Sequence, residues 1–270
     1  MQHKMYRRKS DLSIFTSGDS KNIPIIFVHG FPYDHKMWDM QTISLSKKYY
    51  CVTYDIRGLG SSPVGDGQFT MESFVDDLED ILLELNLNKP VLCGLSMGGY
   101  ISLRAAERME EKFSALVLCD TKSEADTNEA KLKRSENVKK INTEGLESFV
   151  KDSVPNTFTS DSIKGSGIYQ EILNRSLQSI PLGVKGCLLA MAGRTDTTAY
   201  LSQIIIPTLV VCGEDDKLSS PASMKEMAKK IKGSEYVLVP NAAHMSPVEN
   251  PNLVNKVIID FIQKNLKNRE

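Results

Sequence analysis

Short, wholly apolar runs recur along this chain, and longer amphipathic stretches separate them. Residues 23–28 (IPIIFV), 50–54 (YCVTY), 90–93 (PVLC), 115–119 (ALVLC) and 204–212 (ending LVVC) carry no charge at all. A strand with no polar face cannot lie against water, so such runs belong to a sheet covered on both sides. The intervening stretches supply the cover. Thr70 is placed to cap a helix whose apolar residues Phe74, Val75, Leu78, Ile81, Leu82 and Leu85 recur at spacings of three and four. A second helix is expected from about 97 to 109. Alternation of this kind predicts βαβ units, a mostly parallel sheet and an α/β fold.

From residue 120 to about 199 the rhythm is lost. Helical pieces are expected near 129–141, 146–154 and 169–179, with no buried strand among them. The charged run Lys131–Lys140 (KLKRSENVKK) reads as a solvated helix face. The βα rhythm resumes at 204–212. Ser220 and Pro221 then look like the cap and first turn of a helix, and a strand follows at 236–239. A last helix begins at Asn250-Pro251, with a stripe of Leu253, Val254, Val257, Ile258, Phe261 and Ile262. The expected organisation is a sheet domain built from residues 1–120 and 200–270, interrupted by a helical insertion at 121–199.

Composition narrows the function. Thirty-three basic against thirty-four acidic residues leave a net charge of −1, which argues against a nucleic-acid binder driven by bulk charge. No apolar run reaches the roughly 18–20 residues that span a bilayer. The basic N-terminal stretch has no apolar segment behind it, so no signal peptide is expected. Four of the five cysteines (Cys51, Cys93, Cys119 and Cys212) sit inside apolar runs and no C-x-x-C pair occurs, so buried thiols and a cytoplasmic location are the expectation.

The chemistry centres on Gly94-Leu95-Ser96-Met97-Gly98-Gly99, directly after one apolar run and before a helix. A G-x-S-x-G at such a junction makes a turn too tight for flanking side chains and pushes the serine hydroxyl out beside a helix N-terminus. A serine hydroxyl attacks only when a base takes its proton. Of the four histidines, His3 lies in the N-terminal tail and His35 in a polar loop, both read as surface residues. His29 ends a strand. His244 lies between the last strand and the last helix, where a Ser…Asp…His chain order requires the base. The acid that orients it is expected within Glu214-Asp215-Asp216, and the residue types leave three candidates open. Nothing resembles a dinucleotide or phosphate-binding glycine loop.

At these residues the chain resembles an α/β-hydrolase of the large family that includes carboxylesterases, enol-lactone hydrolases and cofactor-free haloperoxidases. The likeness extends from about Pro24 to Phe261. It rests on His29-Gly30-Phe31-Pro32, Asp55-Ile56-Arg57-Gly58-Leu59-Gly60, Gly94-Leu95-Ser96-Met97-Gly98-Gly99, Gly213-Glu214-Asp215-Asp216 and Ala243-His244-Met245 with Glu249-Asn250-Pro251. The resemblance implies Ser96, Asp216 and His244 as the catalytic triad, with Asp215 as the alternative acid. It implies an oxyanion hole from the backbone N–H groups of Phe31 and Met97, and makes His29 and the 55–60 block structural. The insertion becomes a helical cap roofing the pocket, with Phe31, Trp38, Met97, Met191 and Met245 as apolar wall candidates. No cofactor or metal is implied.

The expected reaction is hydrolysis of a small carboxylic ester or lactone by water through an acyl-enzyme. Serine at position 96 argues against dehalogenase and epoxide-hydrolase relatives, which carry aspartate there. A carbon–carbon bond hydrolase or perhydrolase on the same triad is the alternative. Met245 stands where carbon–carbon bond hydrolases commonly carry tryptophan. The segment Asp120–Thr127 resembles the enol-lactonase branch. A non-catalytic ligand-binding protein on this scaffold is the alternative of another class. No nucleic acid or membrane partner is expected, and oligomeric state is left open.

Overall fold

In a computed structural model of the chain, which describes residues 2–6, 11–165 and 167–266, the apolar runs assemble into one eight-stranded sheet. The strands are β1 (Gln2–Tyr6), β2 (Asp11–Ser17), β3 (Pro24–Val28), β4 (Tyr50–Tyr54), β5 (Val91–Leu95), β6 (Ala115–Cys119), β7 (Thr208–Gly213) and β8 (Glu235–Val239). Their order is β1-β2-β4-β3-β5-β6-β7-β8. Six of them, β4-β3-β5-β6-β7-β8, run parallel, while β1 and β2 pair antiparallel at one edge.

Every position of β5, β6 and β7 is buried, so both faces of the sheet centre are covered. The cover comes from α1 (Asp39–Leu45), α2 (Met71–Glu84), α3 (Met97–Met109), α9 (Pro221–Lys230), α10 (Ser246–Glu249) and α11 (Pro251–Leu266). Thr70 caps α2 as expected: its side chain accepts the Ser73 N–H while the Ser73 hydroxyl accepts the Thr70 N–H. Ser220 caps α9 and Pro221 opens it.

Between β6 and β7 lie five helices, α4 (Asn128–Glu144), α5 (Leu146–Ser153), α6 (Ser160–Gly165), α7 (Gly167–Leu177) and α8 (Pro181–Ala192). No sequence expectation covered α6 or α8. Helix α8 buries Val184, Cys187, Leu188 and Met191, and its apolar residues show no one-sided stripe. It packs on α4 and also against the loop after β4, where a Cβ on Gly183 would meet the Gly58 carbonyl oxygen at 1.9 Å. Only a residue without a side chain allows those two backbones to touch.

The edge hairpin was also unanticipated. In β2, buried Leu12 and Ile14 alternate with Ser13 and Phe15, a half-polar pattern unlike the apolar runs of the parallel strands. His3, read as a tail residue, falls within β1, and its side chain lies outside the described residues. All five cysteines are free and buried. No helix among the described residues is long and apolar enough to cross a membrane.

Candidate active site

Parallel strands deliver their carboxyl ends to one edge of the sheet, and the residues singled out in the sequence lie just beyond those ends. Register pairs Val28 with Gly94, Leu95 with Cys119, Cys119 with Val211 and Gly213 with Val239. Phe31, Ser96, Asp120, Asp216 and His244 therefore emerge together from β3, β5, β6, β7 and β8.

Ser96 adopts φ 54° and ψ −114°, in the left-handed half of backbone space that a non-glycine residue enters only when its surroundings force it. The surroundings here are backbone on both sides. The Ser96 N–H donates to the Cys119 carbonyl at 3.0 Å, and its own carbonyl accepts the Tyr100 N–H at 3.1 Å and the Thr121 hydroxyl at 2.8 Å. Gly98 lies against β3, where an added Cβ would meet the Val28 carbonyl oxygen at 2.1 Å. Met97 opens α3, so its amide N–H has no helical acceptor behind it.

His244 and Asp216 are in direct contact. The His244 Nδ1–H donates to Asp216 Oδ2 at 2.9 Å, which leaves Nε2 with the lone pair in the neutral ring. Asp216 is completely buried at its side chain, and its other oxygen accepts the N–H groups of Leu218 at 2.7 Å and Ser219 at 3.0 Å. Asp215, the alternative acid, only donates its backbone N–H to the Ala242 carbonyl, and its side chain is exposed. The loop bearing His244 is held by Glu249: one carboxylate oxygen accepts the Ala243 N–H at 2.7 Å, and the other accepts both the N–H and the hydroxyl of Thr159 at 2.8 Å. Glu249 thus ties the histidine loop to the chain entering α6. Sequence reasoning recorded Glu249 without a role, because its partners lie far away along the chain.

Ser96 and His244 line one cavity of about 560 Å³ beneath the helical segment. Phe31, Phe149, Leu188 and Met191 form apolar parts of its wall, while Tyr100, Lys122, Arg134 and Asn137 form polar parts. Three expected wall residues lie elsewhere. Trp38 is fully buried in the core, its ring 5.1 Å from that of Phe27, and Met97 and Met245 are equally buried; none of the three borders the cavity. Apolar character alone does not separate them from Phe31 and Met191; their places in the chain do, since Trp38 closes the turn before α1, Met97 opens α3 and Met245 precedes α10. The Lys131–Lys140 run also departs from expectation. Lys133, Arg134, Asn137 and Lys140 recur at helical spacing and border the cavity, so this face of α4 is not merely solvated.

His29 and His35 are structural, and the reading of His35 as a surface residue is overturned. His29 is fully buried: its Nδ1–H donates to the Gly30 carbonyl and its Nε2 accepts the Ile56 N–H at 2.9 Å, while burial pushes the imidazole below its ordinary pKa. His35 stacks on Phe15 and bonds Asp55 at 2.8 Å. Arg57 clamps Asp77 through Nε at 2.7 Å and Nη2 at 2.8 Å.

One trio among the described residues approaches metal-ligand spacing: atoms of Asp120, Cys212 and Asp216 lie within 4.8 Å of one another. Their oxygens are already engaged. Asp120 accepts the Gly213 N–H at 2.7 Å and bonds the Ser246 hydroxyl at 2.5 Å, while Asp216 serves His244 and two amides. Burial, and then the neighbouring Asp216, push the Asp120 carboxyl well above the usual range.

Comparison with known proteins agrees with this architecture. The family described as the alpha/beta hydrolase fold matches residues 23–251. A thermophilic esterase from Thermogutta terrifontis, solved with malate bound, is 32% identical, with a TM-score of 0.92 and 98% of each chain covered. The enol-lactonase from Burkholderia xenovorans superposes with a TM-score of 0.90 at 26% identity, over 97% of this chain and 100% of that one. A 3-oxoadipate enol-lactonase from Acinetobacter baylyi is 26% identical over 95% of both chains. With the fold, the strand-end geometry and these likenesses in agreement, the chain belongs to the α/β-hydrolase family.

Proposed function

We propose that this protein hydrolyses a small carboxylic ester or lactone through an acyl-enzyme on Ser96, with His244 as base and Asp216 as its orienting acid. The observation that carries the reading is the buried Asp216–His244 hydrogen bond, set beside a strained serine on the wall of the same cavity. Kinship with an esterase and two enol-lactonases supports the bond type.

In this mechanism His244 Nε2 takes the Ser96 proton as Oγ attacks the carbonyl carbon. The oxyanion accepts the N–H groups of Phe31 and Met97, whose charge stabilisation is greatest in a water-poor cavity. Collapse expels the alkoxide, which takes the proton from His244; with a lactone the alkoxide stays tethered to the acyl chain. Water, deprotonated by His244, then attacks the acyl-enzyme, and collapse of the second tetrahedral intermediate frees the acid as His244 returns the proton to Ser96 Oγ. Asp216 holds the ring and stabilises the imidazolium at each stage. Residues 121–199 act as the cap that closes the cavity over the serine.

The test is release of p-nitrophenol from acetate, butyrate and octanoate esters by the wild type and by Ser96→Ala. Turnover in the wild type with a loss of about 10⁴-fold or more in the variant is expected. Equal inertness of both proteins on all three esters would overturn simple esterase activity.

A further inference from the structure

Two loops have to be placed to within about an ångström of each other for an attack of this kind. One is the turn after β3 that carries the Phe31 N–H, and the other carries His244. Both are bonded to the helical segment, and both reach it within the same three residues, 157–159.

On the β3 side, the Tyr33 N–H donates to the Gly30 carbonyl at 3.1 Å and so closes the turn that carries Phe31. The Tyr33 side chain is buried, with its oxygen 2.6 Å from the Thr157 hydroxyl. Thr157 uses its own proton on the Val154 carbonyl at 2.7 Å, so Tyr33 is the donor. On the histidine side, one Glu249 oxygen accepts the N–H of Ala243, next to His244, and the other accepts the N–H and the hydroxyl of Thr159. Between the two threonines, Phe158 is buried and meets the ring of Tyr169 edge-on at 5.2 Å. Tyr169 belongs to α7, whose Arg175 also pairs with Asp34 at 3.1 Å, one residue beyond Tyr33. The turn after β3 and residues 157–159 therefore share α7 as a support.

We propose that residues 157–159 form a strap by which the helical segment positions both catalytic loops: Thr157 fixes the Phe31 turn through Tyr33, and Thr159 fixes the His244 loop through Glu249. The inference rests on the serine-hydrolase reading and adds positioning residues to it. A segment that only roofs the cavity governs how well the substrate binds. One that holds both loops also governs how fast the bound substrate reacts.

The test compares turnover of p-nitrophenyl butyrate, and labelling of Ser96 by a fluorophosphonate, in the wild type, Tyr33→Phe, Glu249→Gln and Phe158→Leu. Tyr33→Phe removes a single oxygen and keeps the test open if a larger change fails to fold. Tyr33→Phe and Glu249→Gln should each lower kcat by about tenfold, with KM held within about twofold. The labelling rate at saturating probe should fall in step, with the half-saturating probe concentration little changed. Phe158→Leu alters neither loop directly, yet it should lower both rates. Its effect should shrink in the Tyr33→Phe, Glu249→Gln background, where the ties through which it acts are already cut. On either readout, weaker binding at an unchanged maximal rate, or a Phe158→Leu loss of equal size in both backgrounds, overturns the strap alone. A wild type that neither labels at Ser96 nor turns over overturns the serine-hydrolase reading, and the strap with it.

Discussion

Asp120 shows how a single buried group can set the balance of charge beneath a site. It follows β6 at a positive φ of 45°, wholly buried, between the β7 turn and Ser246. Two ionised carboxylates so close together would repel, and Asp216 is the one committed to His244. The folded pKa of Asp120 is raised, so the native state keeps a proton that the unfolded chain gives up in the ordinary carboxylate range. Its contribution to stability is then fully present at low pH and is lost as pH rises toward the folded value. Asp120→Asn keeps an acceptor for the Gly213 N–H and removes the titrating carboxyl, while the Ser246 hydroxyl, which donates to Asp120, must turn to accept from the amide. Denaturant titrations should therefore find the variant gaining on the wild type as pH rises above the ordinary carboxylate range, by up to about 1.4 kcal/mol per pH unit until the folded Asp120 itself ionises. A difference that is flat with pH would mean that Asp120 is ionised in the fold.

Among the elements, α2 is locked to the turn after β4 by a pair that sequence pattern does not reveal. The Arg57 and Asp77 side chains are 5% and 1% exposed, and the guanidinium meets the carboxylate through two nitrogens while also donating to the Gln68 carbonyl. Removing one partner strands a buried charge. Asp77→Ala should lower unfolding free energy by about 3–5 kcal/mol in urea titrations, well beyond the loss expected of a surface pair. The parallel strands and α2, α3, α9 and α11 were legible in the sequence because apolar runs, caps and stripes are local signals. The β1–β2 hairpin and α8 were not. Ser13 in β2 is satisfied by Ser62 and Ser61, residues nearly fifty positions away, and α8 shows no stripe because exposed Leu182 and Leu189 accompany its buried Val184, Cys187, Leu188 and Met191.

For the whole molecule, the cavity that Ser96 and His244 border lies between two stretches of chain far apart in sequence: the strand ends below and the five-helix segment above. Met191, on α8, borders that volume from the roof side. Met191→Trp should shrink the space available to a long acyl chain, lowering kcat/KM for p-nitrophenyl octanoate at least about tenfold relative to acetate. An unchanged chain-length profile would place the acyl group elsewhere in the cavity.

What the sequence determined by itself was the fold class, the serine turn and the strand ends from which Ser96, Asp216 and His244 emerge. Each follows from short-range rules: apolar runs make buried strands, and G-x-S-x-G at a strand–helix junction makes a tight turn. Asp216 could be separated from Asp215 by motif alone, yet the physical reason, two amides and an imidazole on one buried carboxylate, exists only after folding. The cavity wall was decided wholly in three dimensions. Trp38, Met97 and Met245 went to the core, and the charged face of α4 came to border the cavity, because burial depends on residues that meet only across the fold.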